Sequence, residues 1–295
     1  MSSSAEDYQR EADIPGNMEE VKAGRVCSTY RIENEEEYFL QFSEEHPEHL
    51  KIGVKALDML EETDIPVPEK IYSRIADPFV ITRSVSGEPL RETDNESVYR
   101  KAGETLGKIH QQTFDHYGRF HVFGPELGLA GKKDWSKAFS NIYSQAMHNA
   151  SELISAPKAQ SIDQFYYENK ENLPGSPEKS LLHFDYDTDN IMFQNGEITG
   201  VIDWDRIRVG DSAFELVKTS QLLKRQEKPV QPFVEGYNSV NEVEMSSEAE
   251  EIYKLVSEVG RLSELHFMQE NHGIDPSEND LEHTVTEIDR ILDQK

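Results

Sequence analysis

At 295 residues the chain is longer than one compact core of ordinary size, so two lobes are expected. A single cysteine, Cys27, excludes an internal disulfide framework and a thiolate metal cage. A net charge of −27 and a pI near 4.7 argue against nucleic acid and anionic membrane surfaces as partners. The acidity is spread along the chain and reads as a solvated coat suited to high salt, where screening shortens self-repulsion; the plainer alternative is an ordinary acidic protein. The polar N-terminus and the lack of any apolar run of about 20 residues imply a cytoplasmic protein.

In chain order, residues 1–20 show no periodicity and read as a flexible tail. "CSTYRIE" (27–33) and "EYFLQF" (37–42), joined at a polar turn near Asn34, have the pattern of a β-hairpin. Leu50, Val54, Leu57 and Leu60 share one helical face, and "IPVPEKIY" (65–72) and "PFVITRSV" (78–85) read as extended. Residues 21–87 therefore form a small sheet with one helix. After "SGEP" (86–89) the pattern becomes helical through 88–295. A Thr93/Glu96 capping box precedes a stripe of Val98, Ala102, Leu106 and Ile109. Asp134 caps a second helix, and Ser247/Glu250 opens a third that stops near Gly273. A last helix carries Leu281, Val285, Ile288 and Leu292.

One β-rich island interrupts this helical half: "LLHFDYDTDNIMFQNGEITGVIDWD" (181–205). Asn195-Gly196 signals a two-residue hairpin turn, which returns the chain to its starting point. Asp185 and Asn190 on the entry and Asp203 at the exit should therefore converge. A carboxylate there can accept a hydroxyl proton, while an amide oxygen and a second carboxylate suit Mg2+. The run Asp185-x-Asp187-x-Asp189 mimics an EF-hand start, but Asn190 and Gly196 stand where glycine and a bidentate glutamate are required. A dehalogenase-type nucleophile motif fails at Asp189 and lacks surrounding βα repeats. The bland reading is a solvated acidic turn.

The stretch "HFDYDTDNIMF…GEITGVIDWD" resembles the catalytic and metal segments of the aminoglycoside phosphotransferase and choline kinase-like family. "GDSAFEL" (210–216), "LGKIH" (106–110), "PFVITRSVSGEPL" (78–90) and "IPVP" are similar to its flanking motifs, so the likeness runs from about 21 to 295. The resemblance implies an α+β, two-lobed protein-kinase-like fold. It has an N-terminal antiparallel sheet with one helix, and a mostly helical C-terminal lobe carrying the catalytic hairpin. It also implies ATP and Mg2+ in the cleft and phosphoryl transfer to a small-molecule hydroxyl. Asp185 becomes the base, Asn190 and Asp203 the metal ligands, and His183 a buttress. Gly24, Ser28 and Thr29 cover the phosphates, Arg83, Ser84 and Val85 offer backbone groups to adenine, and Trp204 and Asp205 are structural.

Three positions depart from the family. Gln41 replaces the usual strand Lys or Arg, Gly53 falls where its helix glutamate partner belongs, and Phe184 replaces the glycine after the histidine. Lys51 and Lys55 are candidates to supply the missing cation. The alternative function is thus a catalytically weak or inactive kinase-like nucleotide- or metabolite-binding protein. The acceptor and the oligomeric state are not legible. Glu264, Glu270 and Asp275 are candidates to face the acceptor, and every pocket of so acidic a chain is expected to be acidic.

Overall fold

The computed structural model describes residues 4–21, 27–76, 78–123, 126–275 and 277–293. The expected tail is instead built into the fold. A capping box between Ser4 and Asp7 starts α1 (Ala5–Glu11), whose Tyr8 stacks on Phe79 at 4.4 Å and is buried. Two buried residues on a two-turn helix are too few for a periodic signal, which is why the pattern was invisible. β1 (Asn17–Val21) then pairs antiparallel with β2 (Ser28–Glu33).

The predicted hairpin is β2 with β3 (Glu37–Phe42), in a register set by Ile32 and Leu40, which are fully buried on one face. After α2 (Pro47–Leu60) come β4 (Lys70–Arg74) and β5 (Phe79–Arg83), completing an antiparallel sheet of order β1-β2-β3-β5-β4. Leu50 and Val54 of α2 pack on Val80 of β5, so α2 lies across one face of this sheet.

The chain crosses to the larger lobe through β6 (Glu88–Pro89) and α3 (Glu96–His110). A hairpin of β7 (Tyr117–Phe123) and β8 (Glu126–Lys132) follows, a second β segment in the half expected to hold only one. Its glycines and polar residues (Gly118, Gly128, Gly131) hide the strand alternation. Next come α4 (Trp135–Ala150), capped by Asp134 as expected, and α5 (Ala156–Asn169). β9 (Ser180–Leu182), β10 (Ile191–Gln194), β11 (Glu197–Val201) and β12 (Arg208–Gly210) follow, β10 and β11 as an antiparallel hairpin and β9 and β12 paired beside β7. α6 (Ser212–Arg225), α7 (Val230–Val240), α8 (Ser247–His272) and α9 (Glu278–Leu292) complete the lobe. Two caps differ from expectation. Asn95 Oδ1 accepts from the Ser97 N–H at 3.0 Å, displacing Thr93 from that role, and Ser246 rather than Ser247 caps α8. Asn95 and Ser246 stand one position before their helices in extended backbone, where an acceptor side chain reaches back to a free N–H.

The helical core gathers Trp135, Phe139, Phe214 and Tyr253. Trp135 donates to Tyr253 Oη at 2.8 Å, and Tyr253 donates to Asp211 at 2.6 Å, so the polar ends of these aromatics are satisfied. Truncating Phe139 to alanine should cost about 3–5 kcal/mol. α3 and α7 cross closely because each carries a glycine at the contact. A Cβ on Gly103 would stand 1.9 Å from the Phe233 carbonyl oxygen, and one on Gly236 the same distance from that of Arg100. This crossing holds His110 against the catalytic segment.

Candidate active site

Asn195 and Gly196 both take positive φ (54° and 81°), the two-residue turn that Asn-Gly favours, and Gln194 pairs with Glu197. The strands therefore return, and the Ile202 N–H donates to the Asn190 carbonyl at 2.9 Å. Asn190 Nδ2 donates to the Asp185 carbonyl at 2.9 Å. The entry loop, Asn190 and the residue preceding Asp203 are thus fastened together, as the hairpin reading required. The crossing from the small lobe is tied to the same hairpin: Met192 pairs with Pro89, and Gly87 at φ 108° approaches so closely that a Cβ would lie 2.1 Å from the Phe193 carbonyl oxygen.

The loop bearing Asp185 is held from below by Glu215, which is fully buried. Its carboxylate accepts from the N–H groups of His183 (2.9 Å) and Phe184 and contacts His110 Nε2 at 2.9 Å. Burial works to raise the Glu215 pKa. The His110 hydrogen bond and the charges of His110, His183 and Lys218 overcome it and hold the group below the usual range. His183 Nε2 meets the Ile202 carbonyl at 3.0 Å, and its Nδ1 faces the Asp185 N–H at 3.3 Å. That pattern fits a neutral ring with the proton on Nε2, and burial lowers its pKa accordingly. His183 is a buttress, as the resemblance implied. Phe184 sits at φ 69°, a left-handed conformation that explains the family's glycine and costs a phenylalanine about 1–2 kcal/mol.

Asp185 Oδ1 lies 3.4 Å from Arg206 Nη1, which also reaches Glu264 at 3.3 Å. Asp203, at φ 66°, opens its carboxylate to solvent and has no hydrogen-bonding or ionic partner among the described residues. The surrounding protein, with Asp205 and Asp185, pushes its pKa up to about 7 against the pull of Arg206 and His49. Asp205 is engaged by His49 Nδ1 at 3.0 Å. The Asn190 amide oxygen likewise meets no donor among the described residues. Two unengaged oxygen donors beside an excess of negative charge fit a hard divalent cation that takes its other ligands from water and phosphate. Among the described residues no group of three His, Cys, Asp or Glu side chains is spaced to hold a metal unaided.

On the small lobe, Gly24 lies outside the described residues. Ser28 is exposed at the start of β2, whereas Thr29 is buried and paired with Val21 and Gln41, so Thr29 serves the sheet. The Cys27 thiol is pushed up to about 12 by burial and by the carboxylates of Asp205 and Asp203. Of the three residues expected to meet adenine, the Arg83 N–H is committed to the Glu69 carbonyl and the Ser84 N–H to that of Glu37, both at 2.8 Å. Val85 packs on Gly200, where a Cβ would approach its side chain to 2.5 Å. Gln41 is opposite Val80 and therefore faces α2. Gly53 lies against Asp205, 3.8 Å from its nitrogen to a constructed Cβ, and Lys55 is engaged by Asp58. Neither supplies the missing ion pair.

Beside Asp185 a small cleft of about 50 Å3 opens between α6 and α8. It is lined by the carboxylates of Asp185, Asp187 and Glu264 and by the cations Lys218, Arg225 and Arg261, so this pocket is mixed in charge rather than acidic throughout. Sequence reasoning passed over these cations and Arg206, although "DRIRV" (205–209) places two arginines straight after the metal segment of an otherwise acidic chain.

The profile of the phosphotransferase enzyme family matches residues 17–249, and the chain belongs to that family. Among particular relatives, hygromycin-B 4-O-kinase from Escherichia coli is 27% identical over 146 residues, 47% of this chain and 41% of that protein. A thermostable mutant of aminoglycoside phosphotransferase APH(4)-Ia, crystallised in ternary complex with ADP and hygromycin B, superposes with a TM-score of 0.73. It is 16% identical, with 98% of each chain covered. A putative fructosamine-3-kinase from Thermobifida fusca gives a TM-score of 0.66 at 15% identity, covering 93% of this chain and 94% of that one. The two-lobed kinase-like fold is thereby shown.

Proposed function

We propose that the chain is an ATP- and Mg2+-dependent phosphotransferase acting on a hydroxyl of a small molecule. The observation that carries this reading is the return of Asp185, Asn190 and Asp203 to one place, with the Asp203 carboxylate and the Asn190 amide oxygen unengaged. Residues 21–87 serve as the nucleotide lobe and 88–295 as the catalytic and acceptor lobe. The segment around Gly24, Ser28 and Thr29 borders the phosphates, and Arg83–Val85 line the adenine site, with Val85 the one whose N–H has no backbone partner among the described residues. Asn190 and Asp203 hold Mg2+, which bridges and neutralises the nucleotide phosphates. Asp185 orients the acceptor hydroxyl and takes its proton, while Arg206 at 3.4 Å favours the ionised form of that carboxylate. Glu215 and His183 keep the loop in position. The net charge of −27 supports a host rich in salt and makes nucleic acid an unsuitable partner. No helix among the described residues is long and apolar enough to cross a membrane, which accords with a cytoplasmic enzyme.

The test is Mg2+-dependent transfer from labelled ATP in molar KCl to a panel of hydroxylated acceptors. Asp185→Asn should lower kcat by about 10^2–10^4-fold while ATP still binds. A second reading, a binding protein without turnover, is favoured by Gln41 and Gly53, which deny the phosphates their usual lysine. ATP binding with no transfer to any acceptor, and no difference between wild type and Asp185→Asn, would establish that second reading.

A further inference from the structure

The cations beside the catalytic loop are out of place in a chain with 57 acidic and 30 basic residues. Arg208 on β12 stands directly opposite Arg119 on β7, a like-charge cross-strand pair that is unfavourable by itself. Among the described residues neither arginine has a carboxylate within ion-pair distance, and Arg208 Nε is buried without a hydrogen-bond partner. Burial, with Arg119 and Arg206 nearby, presses against the charge of Arg208, and a guanidinium cannot shed its proton to escape. The Arg208 guanidinium lies 3.7 Å above the Phe184 ring, and Lys218 Nζ lies 5.0 Å from the same ring. Lys218 donates to the Phe184 carbonyl at 2.6 Å, has no carboxylate within ion-pair distance among the described residues, acts only at longer range on buried Glu215, and lines the cleft together with Asp185 and Asp187. Farther along that cleft, Arg225 is neutralised by Glu258, and Arg261 lies 3.8 Å from Glu264. The uncompensated charge is therefore gathered around Phe184, the residue before Asp185.

We infer that the phosphoryl acceptor is a small hydroxylated anion, its carboxylate or phosphate held by Lys218 in the cleft, with Arg208 over the Phe184 ring adding its field, and its hydroxyl at Asp185. This rests on the phosphotransferase reading and names its substrate class. In the transfer, the acceptor oxygen forms a bond to the γ-phosphorus, the bond from that phosphorus to the ADP oxygen breaks, and the hydroxyl proton goes to Asp185. A polycation such as hygromycin B would have to bring an ammonium group against Lys218, whose charge, unlike those of Arg225 and Arg261, meets no carboxylate within ion-pair distance among the described residues, so this site selects against it.

The experiment is calorimetric titration of the full chain with ADP, and then, in the presence of ADP, with glycerate, glycerol 3-phosphate, glycerol and hygromycin B. ADP binding judges the nucleotide reading by itself. Glycerate or glycerol 3-phosphate should bind, and which of them binds more tightly distinguishes a carboxylate from a phosphate acceptor. Glycerol and hygromycin B should not. Lys218→Gln and Arg208→Gln, checked for folding by circular dichroism, should each weaken anion binding roughly ten-fold or more, and Lys218→Arg should retain it. Binding of hygromycin B with both anions silent overturns the inference. So does silence from both anions alone, or an anion affinity that neither Gln variant changes.

Discussion

The two walls of the cleft are built to different standards. On the helical lobe, the loop around Asp185 has its backbone donors assigned: the His183 and Phe184 N–H groups go to Glu215, that of Asp185 to His183, and that of Asp187 to the Asp185 carbonyl. On the sheet lobe, the Gln41 amide has no partner among the described residues, Gly53 offers no side chain, and α2 meets the segment after the hairpin through the contact of His49 with Asp205 and the close approach of Gly53 to the same residue. The difference teaches where precision is invested. A base must hold a hydroxyl within hydrogen-bond reach, and small displacements are expensive there. The nucleotide is a large polyanion that many weaker contacts can hold.

The strongest way to break this comparison is to remove the anchor. Glu215→Ala strands two buried N–H groups and leaves His110 facing an apolar gap. We expect a loss of about 3–5 kcal/mol in denaturant unfolding, and turnover to fall with it. Glu215→Gln keeps an acceptor oxygen and should lose less than half as much. Because the folded pKa of Glu215 is depressed, its contribution is complete above the unfolded value and disappears as pH falls through the folded one.

Glu258, buried and paired with Arg225 at 2.6 Å, behaves in the opposite sense. Burial raises its pKa to about 7, Arg225 opposes the rise and Glu287 adds to it. A raised carboxylate pKa favours the fold below the unfolded value and costs stability as pH climbs through the folded one. Between pH 5 and pH 8 the melting temperature should therefore decline by roughly 3–6 °C on account of this group. Glu258→Gln should flatten that decline. A melting profile with the same slope in both proteins would show that Glu258 is ionised throughout and fully compensated by Arg225.

The legibility of the molecule follows the same division. The hairpin could be read because Asn195-Gly196 dictates its turn and Asp185, Asn190 and Asp203 fall at its ends. The sheet of β2 to β5 was legible because β2 and β3 flank a polar turn at Asn34 and β5 is a continuous β-prone run. What could not be read depends on partners distant in sequence. Tyr8 is buried only because Phe79 lies under it, and Glu215 becomes an anchor only because α3 delivers His110 from over a hundred residues away. The cations beside Asp185 were hidden for the same reason. Lys218, Arg208 and Arg119 come from three elements, and only the β7–β12 pairing, itself obscured by glycines, brings the two arginines face to face.

The smallest effect is expected where the comparison is most easily repaired. Gln41 faces α2 beside Val80, and Gln41→Lys adds an ammonium on the side where the phosphates should lie. If the sheet lobe merely lacks grip, this substitution should lower KM for ATP by about three- to ten-fold, equivalent to about 1 kcal/mol, and leave kcat within two-fold. A rise in kcat of similar size would mean that the missing cation limits transfer itself, because only an interaction stronger in the transition state accelerates it. An unchanged KM would place the phosphate contacts elsewhere, on the backbone that leads into β2. In that case the helical lobe and its metal would carry the reaction with little help from the sheet.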